Sequence, residues 1–259
     1  MHEASVRVDA FMLRPGVMMP DWSLVADPTA REVLAASMAV AGRAQKWSGL
    51  TAVEDRVWQA ILLGFAHAGH APNPARLGLD TGLDGATVAS VLHALRTRDL
   101  LVLDAGSLAV TAVYPFCTWV TGHRVLLEER AGVHSLCAID ALGAGAMLGC
   151  DTIIESTCRG CGAPVQIETW DRGHALGRVT PDAAVVWSGI KYADGCAATS
   201  GCTAKAFLCS DEHLTAWRER SDPGGAGFRL SMEAALQVGM ALFVPMLAMP
   251  PSQADAGRS

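Results

Sequence analysis

Charge is scarce in this chain: Asp, Glu, Lys and Arg together make up 18% of its 259 residues, and the formal net charge is -6. That balance excludes a protein held to nucleic acid by a global basic field, because phosphate binding needs a surplus of Lys and Arg. Long hydrophobic runs are missing too. The most apolar stretch, AALQVGMALFVPMLAMP near the C-terminus, is shorter than a membrane span and is interrupted by Gln237 and Pro245, so it reads as a buried helix and no membrane partner is expected. The opening MHEASVRVDAFMLRPG has no continuous apolar core of a secretory signal, which makes a cytoplasmic location the expectation. No internal repeat is present. Cysteine is absent before Cys117, and then eight follow: Cys117, Cys137, Cys150, Cys158, Cys161, Cys196, Cys202 and Cys209. In a reducing compartment such a concentration points to metal or thiol chemistry more than to a disulfide framework.

At 51% hydrophobic residues the chain can bury a real core. After a Pro-rich lead-in, TAREVLAASMAVAGRAQKW reads as one helix within an N-terminal extension over residues 1–50. From Thr51, the spacing of Val57, Trp58, Ile61, Leu62 and Phe65 predicts a second helix behind an acidic first turn at Glu54 and Asp55. A short helix, a turn, a helix bearing Val88, Val91, Leu92 and Leu95, and two strands joined at DAG complete the order of a winged helix-turn-helix over 51–116. Between Thr51 and Leu100 four basic residues (Arg56, Arg76, Arg96, Arg98) face five acidic ones (Glu54, Asp55, Asp80, Asp84, Asp99), a net of -1. A groove reader shows a basic face, so the module is expected to pack as a wall and not to bind nucleic acid.

Beyond residue 116 the texture changes to short β-like runs, HRVLLEE, DTIIEST, APVQIETW, AAVVWSGI and AKAFLCS, interrupted by helices at CAIDALGAGAML and SMEAALQVGMALF. The prediction for 117–249 is an α+β domain with a mostly antiparallel sheet, followed by a disordered tail over 250–259.

Within HSLCAIDALG, Cys137 and Asp140 are three residues apart in an apolar decapeptide. On a helix they share a face and can act on one bound atom. Read with STCRGCGAP and SGCTAKAFLCS further on, the order of motifs resembles that of the organomercurial (alkylmercury) lyases, from roughly His123 to Leu242. The resemblance implies that Cys137 and Cys202 are the two catalytic, mercury-binding cysteines and Asp140 the catalytic aspartate, also placed against the metal. It implies that Cys158 is a buried structural thiol. It further implies an organomercurial substrate, Hg(II) as bound product, no required cofactor, and small thiols or a mercuric reductase as Hg(II) acceptors.

The chemistry can be argued independently. Two soft thiolates load electron density onto a soft metal, and a desolvated carboxyl with a raised pKa can carry a proton to the leaving carbon. The chain departs from the family pattern at His134, Ser135 and Leu136, where an aromatic pair commonly stands, and in its extra Cys117, Cys161 and Cys196. Those extra thiols keep two other readings in view. One is a Cu(I)- or Hg(II)-binding protein without lyase activity. The other is a zinc ribbon using Cys158-x2-Cys161 with Cys196 and Cys202, or a metal-responsive regulator using the winged helix. Cys209, in an apolar strand run, is expected to be a small buried side chain.

Overall fold

The computed structural model describes residues 10–40, 42–127, 132–193 and 195–249. The expected tail at 250–259 and the first nine residues of the expected extension lie outside them. The chain opens with an antiparallel hairpin, β1 (Phe11–Arg14) and β2 (Val17–Met19). Helices α1 (Pro28–Val40) and α2 (Arg43–Trp47) follow. The single helix expected over residues 29–47 is thus two, because Gly42 takes a left-handed conformation with φ 58, which breaks the helical ladder.

Next come α3 (Ala52–Ala68), α4 (Pro74–Thr81) and α5 (Gly85–Thr97). Each has a polar cap: Thr51 and Glu54 form a reciprocal capping box on α3, Asn73 caps α4 with Pro74 in its first turn, and Asp84 caps α5. The predicted apolar stripe of α3 is fully buried, and each large side chain in it contributes about 1.5–3 kcal/mol.

The strands are β3 (Leu101–Leu103), β4 (Val110–Val113), β5 (Phe116–Cys117), β6 (His123–Leu127) and β7 (Val133–Ser135), and after α6 (Ala138–Leu148) come β8 (Thr152–Thr157), β9 (Pro164–Trp170) and β10 (Ala175–Thr180). They form one eight-stranded antiparallel sheet in the order β10-β9-β8-β6-β7-β5-β4-β3. A second antiparallel sheet, β12-β11-β13, is built from β11 (Val185–Gly189), β12 (Lys205–Leu208) and β13 (Gly227–Leu230), with α7 (Asp211–Ser221) between the last two and α8 (Met232–Leu247) at the end. The architecture is α+β. The large sheet runs without a break from β3 and β4 into the cysteine-bearing half, and β5 spans residues 116 and 117.

Two devices fix the core. Helices α6 and α8 touch backbone to backbone: a Cβ on Gly143 would lie 2.6 Å from the Gly239 carbonyl oxygen. Only glycine permits that approach. Near its C-terminus α8 carries Pro245, which has no N–H and so leaves the Ala241 carbonyl without a helical donor. The Asp21 N–H donates to it at 2.9 Å. Buried Arg14 donates to the carbonyls of Pro245 and Met246 at 3.1 and 3.2 Å and pairs with Asp55 at 3.2 Å. The N-terminal hairpin, α3 and α8 are thereby tied together, and α1 packs along α8.

Candidate active site

Strand β7 delivers the chain to Cys137, which is the extended N-cap of α6 (φ -156, ψ 178), and its carbonyl accepts the Ala141 N–H at 2.9 Å. The thiol therefore stands at the positive end of the helix. Asp140 lies in the first turn of α6, a favourable place for an acid by dipole, yet its side chain is buried with only 4% exposure. Every residue of this helix from Ala138 to Met147 is buried, so the carboxyl faces no solvent.

Cys202 arrives from far along the chain. It opens a 3-10 turn, Cys202–Ala204, immediately before β12, and its own N–H is held by the Ala197 carbonyl at 2.9 Å. The loop before it is anchored by Asp99, in the turn just past α5, a residue at φ 56 that accepts from Ala197 N–H at 3.1 Å and from the Tyr192 hydroxyl at 3.2 Å. The Cys202 thiol donates to Asp140 Oδ2 at 3.3 Å. One sulfur of Cys137, one of Cys202 and a carboxylate oxygen of Asp140 all lie within 4.8 Å of one another.

Burial pushes the Asp140 pKa up, and this outweighs the opposing effects of the Cys137 and Cys202 thiols, the Lys205 ammonium and the Arg43 guanidinium. The Cys202 thiol is pushed well up by its hydrogen bond with Cys137, then by burial and by the neighbouring Asp140. Burial thus disfavours the charged form of each group. Cys117 on β5 is pushed up to about 12, chiefly by burial and next by Asp140, and its thiol donates to the Trp119 carbonyl at 3.5 Å.

The three side chains line one enclosed cavity of about 20 Å³, room for a single water-sized occupant. The apolar wall is Ile139 with Val238, Leu242 and Phe243 of α8. The polar wall is Ser37, Arg43, Trp47, Tyr114 and Lys205, none of which the sequence reading singled out. Among the described residues, Ser37 Oγ, Arg43 Nε, Trp47 Nε1 and Tyr114 Oη are buried without a protein hydrogen-bond partner. Buried polar atoms are seldom left so, and four around one cavity mark a place built to receive something polar. Arg43 stacks its guanidinium on Trp47, 5.0 Å from the ring centroid, and Trp47 faces Tyr114 at 5.7 Å. Lys205 is steadied by the Gly201 carbonyl at 3.0 Å. No local motif marks these residues, since they come from α1, α2, the turn after β4 and the start of β12.

The remaining thiols divide differently from the zinc-ribbon alternative. Cys158 and Cys161 stand with Cys209 and His213, all four ligand atoms within 4.8 Å of one another, whereas Cys202 stands with Cys137 and Asp140. Cys209 is accordingly not a buried strand residue. The strand ends at Leu208, and the Cys209 side chain is half-buried and turned to His213.

A family model described as MerB, alkylmercury lyase, matches residues 116–244, a stretch that holds Cys137, Asp140 and Cys202. Curated proteins yield no match. Among solved structures, the mercury-bound form of MerB2 is similar to this chain with a TM-score of 0.67 and 22% identity, over 83% of this chain and 98% of that one; the likeness shows the same fold. The chain belongs to the alkylmercury lyase family and, as a member of it, is a carbon–mercury lyase.

Proposed function

We propose that the cavity cleaves the carbon–mercury bond of a small organomercurial by protonolysis, with Cys137 and Cys202 holding the metal and Asp140 moving the proton. The single observation that carries this reading is the buried triangle of two thiols and one carboxyl, with the Cys202 thiol already donating to Asp140. Cys137 displaces the exchangeable ligand of the incoming R–Hg–X, and its proton leaves with X as HX. The Cys202 sulfur then binds the same mercury and gives its proton to the Asp140 carboxylate. Protonated Asp140 delivers that proton to carbon as the carbon–mercury pair collapses onto it, releasing R–H and leaving Hg(II) on two thiolates. The net reaction consumes two thiols and R–Hg–X and yields R–H, HX and one mercury dithiolate.

A span below 4.8 Å between the sulfurs suits this capture, because two mercury–sulfur bonds, each slightly longer than the about 2.3 Å of zinc–sulfur, reach about that far in line. Lys205 and Arg43 offset the negative charge that develops on the sulfurs. A store for Cu(I) or Hg(II) would have no use for a carboxyl buried between its thiols, since burying it costs free energy.

Release of Hg(II) falls to small cellular thiols or to a mercuric reductase, in keeping with a cytoplasmic setting, and the chemistry asks for no further cofactor. We read α3 to α5 with the β3–β4 hairpin as a winged-helix-like unit over 51–116, packed as a wall against a lyase unit over 117–249. The test is Asp140→Asn assayed with phenylmercury and excess thiol, scoring benzene. Turnover should fall roughly 10²–10⁴-fold or more while one Hg(II) still binds tightly. Wild-type turnover in that variant would show that the proton comes from another group.

A further inference from the structure

A second set of ligands lies at the other end of β12, outside the site just described. Cys158 directly follows β8, and Cys161 stands in the turn that leads into β9. The turn is drawn tight by the Cys158 N–H donating to Ala163 O at 2.8 Å and the Gly162 N–H donating back to Cys158 O at 2.8 Å, with Gly162 at φ 76. Gly162 therefore supplies the left-handed residue that brings two thiols of a C-x2-C pair to one side. From the small sheet, Cys209 follows β12, Ser210 caps α7, and His213 stands one helical turn on from Cys209.

The four ligand atoms converge. Cys161 Sγ lies 3.6 Å from Cys209 Sγ, and Cys158 Sγ lies 3.8 Å from His213 Nδ1. A tetrahedron with bonds of about 2.3 Å has edges of about 3.8 Å. The Cys209–His213 approach, 2.6 Å, is shorter and would lengthen around a cation. The backbone is arranged for charge on sulfur as well: the Cys209 N–H donates to Cys158 Sγ at 3.3 Å. Gly160 lets α7 come close, since a Cβ there would sit 3.0 Å from His213 O.

We propose that Cys158, Cys161, Cys209 and His213 form a structural zinc site. Three thiolates and one imidazole are a closed ligand set for Zn(II), with no open position for substrate. The metal staples the β8–β9 turn of the large sheet to β12 and α7 of the small one. It thereby fixes the strand that directly follows the turn holding Cys202. The turn already leans on this strand through the Arg159 N–H, which donates to Phe207 O at 2.9 Å.

The test is metal analysis of the full chain, purified reduced and without a chelating tag. Wild type and the Cys137→Ser/Cys202→Ser variant should each carry one zinc per chain, and Cys161→Ser/Cys209→Ser should carry none. Cobalt-substituted wild type should show thiolate charge-transfer bands and a tetrahedral d–d spectrum, and X-ray absorption of the zinc form should show three sulfurs at about 2.3 Å and one nitrogen at about 2.0–2.1 Å. These two readouts decide the matter even if the variant fails to fold. A zinc-free wild type after reduction and zinc addition, a Cys161–Cys209 disulfide in its place, or zinc lost from the Cys137→Ser/Cys202→Ser variant would each overturn the site. Because that variant is expected to have no lyase activity, zinc content and turnover report on separate claims.

Discussion

Burial sets the protonation of several side chains here, with opposite consequences for stability. His123 on β6 is 5% exposed, hydrogen-bonded through Nδ1 to Ser156 Oγ at 2.9 Å and edge-on to Phe207 at 5.5 Å. Burial, and secondarily Arg159, lowers its pKa to about 4. Between about 6.5 and 4 the unfolded chain binds the proton and the folded one does not, so stability falls as pH falls through that window. For a shift of this size the loss is about 3 kcal/mol. Asp140 and Asp99 act in the other direction: burial raises both, so each costs stability as pH rises above the ordinary carboxylate value. His123→Asn should be less stable than wild type near neutrality but should lose less on acidification. Chemical denaturation at a series of pH values measures this, and parallel curves for the two proteins would contradict it.

At the scale of elements, the crossing of α6 and α8 carries the site, because α6 holds Asp140 and α8 supplies Leu242 and Phe243 opposite it. Gly143→Ala puts a methyl 2.5 Å from the Phe243 ring and 2.6 Å from Gly239 O. Overpacking of this kind costs about 1–3 kcal/mol, and the melting temperature should drop accordingly; an unchanged value would mean the helices part freely. Both helices were legible in the sequence as apolar runs, and so were α3 and five of the strands of the cysteine-rich half. Helix α7 was not. Only Leu214 of it is buried, so it has no apolar stripe to read, and its signal lay in Ser210 as cap with Asp211 and Glu212 behind it. Without α7 the Cys209-x3-His213 spacing has no element to sit on, and the zinc-ribbon alternative draws Cys158 and Cys161 toward Cys196 and Cys202, before β12 and not after it.

Across the whole molecule, the cavity gathers residues from nearly the full length of the chain. Cys137, Asp140 and Cys202 were legible because each sits in a short motif. Ser37, Arg43, Trp47 and Tyr114 lie before the family match begins at residue 116 and have no motif; the packing of α1 on α8 and of α2 on α1, together with the turn after β4, brings them in. The N-terminal elements therefore wall the site as well as stabilise it, which agrees with a large sheet that passes through residues 116 and 117 unbroken. The central claim is capture of one mercury between two thiols, one at the start of α6 and one in the turn before β12. It is tested most directly by titrating Hg(II) into zinc-loaded protein against a competing small thiol, wild type beside Cys137→Ser/Cys202→Ser, with zinc release followed so that mercury taken up by Cys158, Cys161 and Cys209 is counted separately. The account predicts one tight equivalent per chain bound without zinc release in wild type and its loss in the variant, and an undiminished equivalent bound without zinc release in the variant would contradict it.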